Sequence, residues 1–257
     1  MQLTSRFRIK NINNIIGFLN EIHVGRLATI DKNGYPQVIP MNFVHLMMMM
    51  ANTNTAEQNG KYIDLSNGNL RYQQRVNKNA DTTKNADRQI YKHVIYMHSH
   101  HKGEKIENLL RNSKVGFEVD KEICFLPSYY FHPTEASLAD TLYTSIVIKG
   151  KASIVSDNKE KALAMNKMMQ KYQPEGRYTE LTQNSKSIIY LTVIKIDVET
   201  IDGKYKIGQE WTNSFRKEIV KKIIDREGLT KAREILKDMK IKILEKGDLE
   251  FPASISM

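Results

Sequence analysis

Asn33-Gly34 constrains this chain more than any other dipeptide in it. It sits between two strand-like runs, Val24-Gly-Arg-Leu-Ala-Thr-Ile30 and Gln37-Val-Ile-Pro-Met-Asn-Phe-Val44. Asn-Gly between such runs signals a tight hairpin, because both central residues of the favoured two-residue turn take positive φ. An antiparallel pair therefore opens the fold. A helix precedes it, since Ile12, Ile15, Ile16, Leu19 and Ile22 recur at helical spacing over 11–22.

Further strands are predicted at 91–98, 115–119, 142–155 and 188–201, and helices at 103–112 and 158–172. The stretch 214–243 reads as one or two helices interrupted near Gly228, and 125–140 as a loop. From about 47 to 90 the chain turns to Asn, Thr, Gln and Lys after the run Met47–Met50. That composition buries too little to offset its ordering entropy, so an Asn-rich insertion is expected. The methionines themselves are either a soft contact surface or the end of the preceding strand.

Six strands joined by short turns, with helices inserted at intervals, predict a mainly β, α+β fold. The expected architecture is a closed or partly closed barrel, not the regular alternation of a doubly wound sheet. The expected division is 1–212 for this domain and 213–257 for a C-terminal helical extension.

The 257 residues include 39 Lys+Arg and 29 Asp+Glu, a formal charge of +10, which favours anionic ligands but does not choose a fold. One cysteine, Cys124, excludes an internal disulfide and any four-cysteine metal knot. Its apolar neighbours predict a packed, inert thiol. No apolar run is long enough to cross a membrane, and Met-Gln-Leu-Thr-Ser-Arg-Phe-Arg lacks the apolar stretch of a secretion signal. A soluble, cytoplasmic protein is expected.

His98-Ser-His-His-Lys-Gly-Glu-Lys105 is the densest chemistry in the chain. A strand ends there and a helix begins, leaving free amides at a helix N-terminus, a hydroxyl on Ser99 and two ammoniums, Lys102 and Lys105. Such a turn can hold a phosphate ester. Charge alone favours a solvated basic turn over that reading. The three histidines have no HExxH pattern or spaced carboxylate beside them, so no metal site is predicted. Asp202-Gly-Lys-Tyr-Lys-Ile-Gly-Gln-Glu-Trp211 supplies glycines, Gln209 and the single tryptophan. It suits either a flat heteroaromatic ligand or an anchor for the tail helix. Walker, GxGxxG and GxSxG motifs are absent. The basic tail interleaves Glu218, Asp225, Glu227 and Glu234, which favours a solvated amphipathic helix over a nucleic-acid surface.

In their order, these pieces resemble the FMN-binding split-barrel family, the superfamily of pyridoxamine-phosphate oxidase, and especially its nitroimidazole-resistance-like branch. The resemblance rests on Gly25-Arg-Leu-Ala-Thr29, the Asn-Gly-Tyr-Pro turn, Val38-Ile-Pro-Met-Asn-Phe43, Ile95-Tyr-Met-His-Ser99, Lys102-Gly-Glu-Lys-Ile106, Val115-Gly-Phe-Glu-Val-Asp120, Tyr143-Thr-Ser-Ile-Val-Ile-Lys-Gly150 and Gly203-Lys-Tyr-Lys-Ile-Gly-Gln209. It spans about 10–45 and 91–212. Two features depart from it: the insertion, and Thr144 where the family's Tyr-Arg-Ser pattern has arginine.

The resemblance implies a six-stranded split barrel binding FMN at the interface of a homodimer. Ile39, Pro40, Met41 and Asn42 would present backbone to the isoalloxazine, and His98 and Ser99 would line the ring and ribityl chain. Lys102 and Lys105 would hold the phosphate, and Tyr143 and Ser145 would border the cavity. Lys206, Gln209 and Trp211 would flank the ring, and a positive group there would raise the flavin potential. The implied activity passes electrons from reduced nicotinamide to a small organic acceptor. Other readings are a haem-binding or haem-degrading barrel, a deazaflavin-binding protein, and a non-enzymatic flavin-binding regulator.

Overall fold

The computed structural model describes residues 5–50, 62–63, 90–244 and 249–251. The expected insertion lies mostly outside them. Helix α1 (Ile12–Glu21) leads into β1 (Val24–Ile30), β2 (Pro36–Asn42), β3 (Val44–Met50), the two-residue β4 (Tyr62–Ile63) and β5 (Ile90–Ser99). Then come α2 (Glu104–Arg111), β6 (Lys114–Leu126), β7 (Asp140–Ile154), α3 (Asn158–Tyr172), α4 (Lys186–Tyr190) and β8 (Thr192–Lys206). Helices α5 (Asn213–Glu227) and α6 (Leu229–Asp238) precede a small ribbon, β9 (Lys242–Ile243) with β10 (Leu249–Glu250).

The fold is α+β, built on one sheet of eight strands in the order β2-β1-β6-β7-β8-β5-β3-β4. The registered pairs β1/β2, β1/β6, β3/β4, β3/β5 and β5/β8 are all antiparallel. Eight strands replace the expected six, because β4 falls within the expected insertion and the chain does not leave the sheet after Phe43. The second expected strand divides there: Asn42 still pairs with Val24 of β1, whereas Val44 pairs with Tyr96 of β5. Phe43 is thus a one-residue corner between two neighbours. Its backbone is served by α3 instead of a strand: its N–H donates to the Tyr172 hydroxyl (2.9 Å) and its carbonyl accepts from Lys171 Nζ (3.2 Å). The methionine run forms the end of β3.

The opening hairpin exists, but its turn differs from the expected one. Ile30 and Pro36 are the last registered pair, and Lys32, Asn33 and Gly34 form a three-residue loop. Only Gly34 takes positive φ (88°), while the Asp31 carboxylate accepts from the N–H groups of Asn33 and Tyr35, both at 2.8 Å. A tight turn closed by one left-handed glycine satisfies the strands as well as the two-residue form does. Ile188–Tyr190, expected in a strand, belong to α4, and the last expected strand runs on to Lys206.

The chain divides into two compact units. One comprises 16–118 and 148–201. Its core packs Val44, Leu46, Val94, Tyr96 and Val193 of the sheet against Ala162, Met165 and Met168 of α3 and Ile188 of α4. Its β1 must place Gly25 under the Phe117 ring, where a Cβ would lie 2.1 Å from the nearest ring carbon. The other unit comprises 1–15, 119–147 and 202–257. There Cys124, Leu126, Tyr130 and Leu142 pack against Ile219, Val220 and Ile223 of α5 and Ala232, Ile235 and Leu236 of α6.

Candidate functional site

In the unit of 16–118 and 148–201, the expected phosphate turn is built by β5, α2 and edge strand β2. The backbone leaves β5 at Ser99, and α2 starts at Glu104 after Gly103, whose φ of 127° is open to glycine but strained for other residues. No side chain caps α2, so its first amides are available to a ligand. What fixes α2 is Asn108, buried beside Thr29. Its Nδ2 donates to Thr29 Oγ1 (3.1 Å) and Gln37 Oε1 (3.2 Å), and its Oδ1 accepts from Arg111 Nη2 (2.5 Å). Gln37 in turn donates to the Glu104 carboxylate. Helix and edge strand are thereby locked in register.

Around this start, His98 is exposed and Ser99 is buried, its hydroxyl donating to the His100 carbonyl (2.9 Å). The His100 ring receives the Lys102 N–H (3.2 Å) and lies 4.3 Å from the His101 ring. Lys102 is exposed. Lys105 is half-buried, with Nζ 3.8 Å from the Met41 sulfur. Neither ammonium forms an ion pair among the described residues. Alternation along β2 puts Gln37, Ile39 and Met41 on the more buried face and Pro40 and Asn42 on the exposed one. Lys105, Met41, Ser99 and Lys102 are thus gathered around one strand-to-helix junction.

The remaining expected residues, Tyr143, Ser145, Lys206, Gln209 and Trp211, fall in the other unit, and Tyr143, Lys206, Gln209 and Trp211 have partners of their own there. Tyr143 and Ser145 are half-buried, and Lys204 stands over the Tyr143 ring at 5.1 Å. Thr144, on the opposite face of β7, is buried. Lys206 pairs with Asp140, which neutralises its charge. Gln209 is committed to backbone: Nε2 donates to the Tyr205 and Arg6 carbonyls (2.9 and 3.1 Å) and Oε1 accepts from the Ile207 N–H (2.9 Å). Trp211 packs edge-on against Phe215 of α5 (5.6 Å, 84°) and lies over Gly208, whose φ is 72°. This is the tail-helix anchor that the sequence left as one of two readings.

A histidine pair and a lysine, His45 buried and the others half-buried, had no signal in the sequence. His45 of β3 and His93 of β5 meet at 2.9 Å, Nε2 to Nδ1. Burial, then His93, then Lys171 hold His45 down to about 3, and burial also lowers His93. Lys171 donates to the Leu19 and Phe43 carbonyls (2.9 and 3.2 Å) and stands 3.7 Å over the Phe43 ring, where burial lowers it to about 7. Only the pairing of β3 with β5, and α3 passing the Phe43 corner, bring these groups together.

A predominantly antiparallel sheet with flanking helices defines a class, that of α+β domains. Residues 85–205 match the sequence profile described as pyridoxamine 5'-phosphate oxidase. No curated protein matched the chain. Among solved structures, it is similar to a candidate 5-nitroimidazole antibiotic resistance protein from Bacteroides thetaiotaomicron (19% identity, 77% of this chain and 85% of that one, TM-score 0.48). It is also similar to a flavocytochrome from Azotobacter vinelandii (12%, 79% and 72%, TM-score 0.49) and to an FAD- and haem-binding protein from Mycobacterium smegmatis (10%, 83% and 79%, TM-score 0.48).

Proposed function

We propose that the chain binds FMN by its phosphate at the β5–α2 turn and works as a flavin-dependent oxidoreductase. In this reading it is a homodimer, and it passes electrons from reduced nicotinamide to a small organic acceptor. The observation that carries the reading is the uncapped start of α2 with two ammoniums, Lys102 and Lys105, that have no acidic partner among the described residues. A phosphate monoester carries about −1.5 to −2 charges, and charge-assisted hydrogen bonds to it are about twice as strong as neutral ones. The profile match over 85–205 supports the same reading.

The residues present fit a flavin phosphate. Lys102, Lys105 and the first amides of α2 would neutralise the ester, and Ser99 would lie beside the ribityl chain. Ile39 and Met41 would give the ring an apolar edge with strand backbone next to it. Asn108, by locking α2 to β1 and β2, keeps the amides and Lys105 at a fixed distance from that edge, so a ligand does not have to order them. A bound flavin supplies the redox chemistry, and the protein's part is binding, orientation and exclusion of water. Lys206, neutralised by Asp140, adds little positive field to a ring.

Titration with FMN and with riboflavin, which lacks the phosphate, tests this. The double variant Lys102→Ala/Lys105→Ala should bind FMN at least about tenfold more weakly, near 1.4 kcal/mol, with riboflavin binding unchanged. Equal FMN affinity in the wild type and the double variant overturns the assignment. A Soret band in the purified protein in place of flavin absorption would replace it with the haem reading.

A further inference from the structure

The His45–His93 pair lies outside the β5–α2 turn, and nothing in the proposed flavin chemistry uses it. His45 and Met47 are two apart on β3 and so share a face of the sheet. Met48, on the other face, has its sulfur 3.4 Å from the Tyr96 hydroxyl and packs in the α3 core, which fixes the alternation. Met47 is also the registered cross-strand partner of His93. Directly opposed residues have Cβ atoms about 4.5–5.5 Å apart, within reach of a thioether. Two imidazole nitrogens already facing each other at 2.9 Å and a methionine beside them therefore share one face.

We propose that His45, Met47 and His93 form a binding site for a soft metal ion, cuprous copper. The donor set selects it: thioether and imidazole suit soft, late metals, whereas oxygen-seeking cations find no carboxylate in the set. At metal–nitrogen distances of about 2.0–2.1 Å, nitrogens 2.9 Å apart subtend about 90° at the ion. A small separation of the rings widens this toward a trigonal or tetrahedral angle. His93 is half-buried, which leaves a way in from solvent. With His93 donating in the present pair, binding moves its proton to Nε2 of the same ring; no proton leaves and no electron is transferred.

The probe is cuprous copper under anaerobic reduction, competed against a chromophoric cuprous chelator. The background is Cys124→Ala with His100→Gln and His101→Gln, which removes the single thiol and the neighbouring His100–His101 pair. One ion per chain is expected, with binding lost in His93→Gln and weakened at least tenfold in Met47→Leu, a near-isosteric change. Copper-edge absorption on the unsubstituted protein should show nitrogen ligands and a sulfur at about 2.3 Å. Equal binding by background and His93→Gln overturns the site. So does a spectrum without sulfur, which needs no variant to fold.

Discussion

At residue scale, the clearest commitments are made by groups that tolerate no alternative. A methyl group at Gly25 would collide with the Phe117 ring, which is buried against Phe43 at 5.1 Å. Gly25→Ala should therefore cost about 2 kcal/mol or more in urea unfolding, the usual scale of an overpacked core. Gly34→Ala, with open space but φ of 88°, should cost about 1 kcal/mol. His45 carries a pH signature. Its value is depressed in the fold, from 6.5 to about 3, so the unfolded chain takes up its proton first as the medium is acidified. The stability it contributes is complete above about 6.5 and is lost as the pH falls toward about 3. His45→Gln should flatten that acid limb, measured as urea midpoints across this window.

At the scale of elements, α3 contributes more than an apolar stripe. Its last turn replaces the missing strand partner of Phe43, with the Tyr172 hydroxyl bonded to the Phe43 N–H and to the His23 carbonyl. Tyr172→Phe leaves a corner amide without its acceptor and should destabilise by about 1–3 kcal/mol, read by chemical denaturation. Near the start of the same helix, Glu160 accepts from the Tyr96 hydroxyl (2.6 Å) and pairs with Lys195 (3.0 Å), which ties α3 to β5 and β8. The helix itself was legible from Ala162, Leu163, Met165, Met168 and Met169. Its polar duties were not, because Lys171 and Tyr172 look like ordinary exposed residues until the chain turns at Phe43.

On the scale of the whole molecule, the C-terminal helices complete a core. Ile219, Val220, Ile223, Ile235 and Leu236 cover Cys124, Leu126, Tyr130 and Leu142 of their unit. Arg216, buried, donates to the Gly208 carbonyl through Nε (3.2 Å) and Nη2 (2.7 Å). A chain ending at 212 should therefore lose solubility and cooperative unfolding, monitored by light scattering and thermal melts. Solubility and a melting transition equal to those of the full chain would mean that these helices are dispensable.

Local chemistry alone determined most of the elements. Helical spacing placed α1 and α3, strand composition placed β1, β6 and β7, and the histidine–lysine run marked the strand-to-helix turn, because period, turn residues and charge act over a few positions. Tertiary structure decided everything that depends on which strand lies beside which. The corner at Phe43, the His45–His93 contact, the neutralisation of Lys206 by Asp140 and the commitment of Gln209 to backbone each join residues whose separation along the chain carries no signal. A single sequence records what each residue prefers, and only folding sets what it must answer.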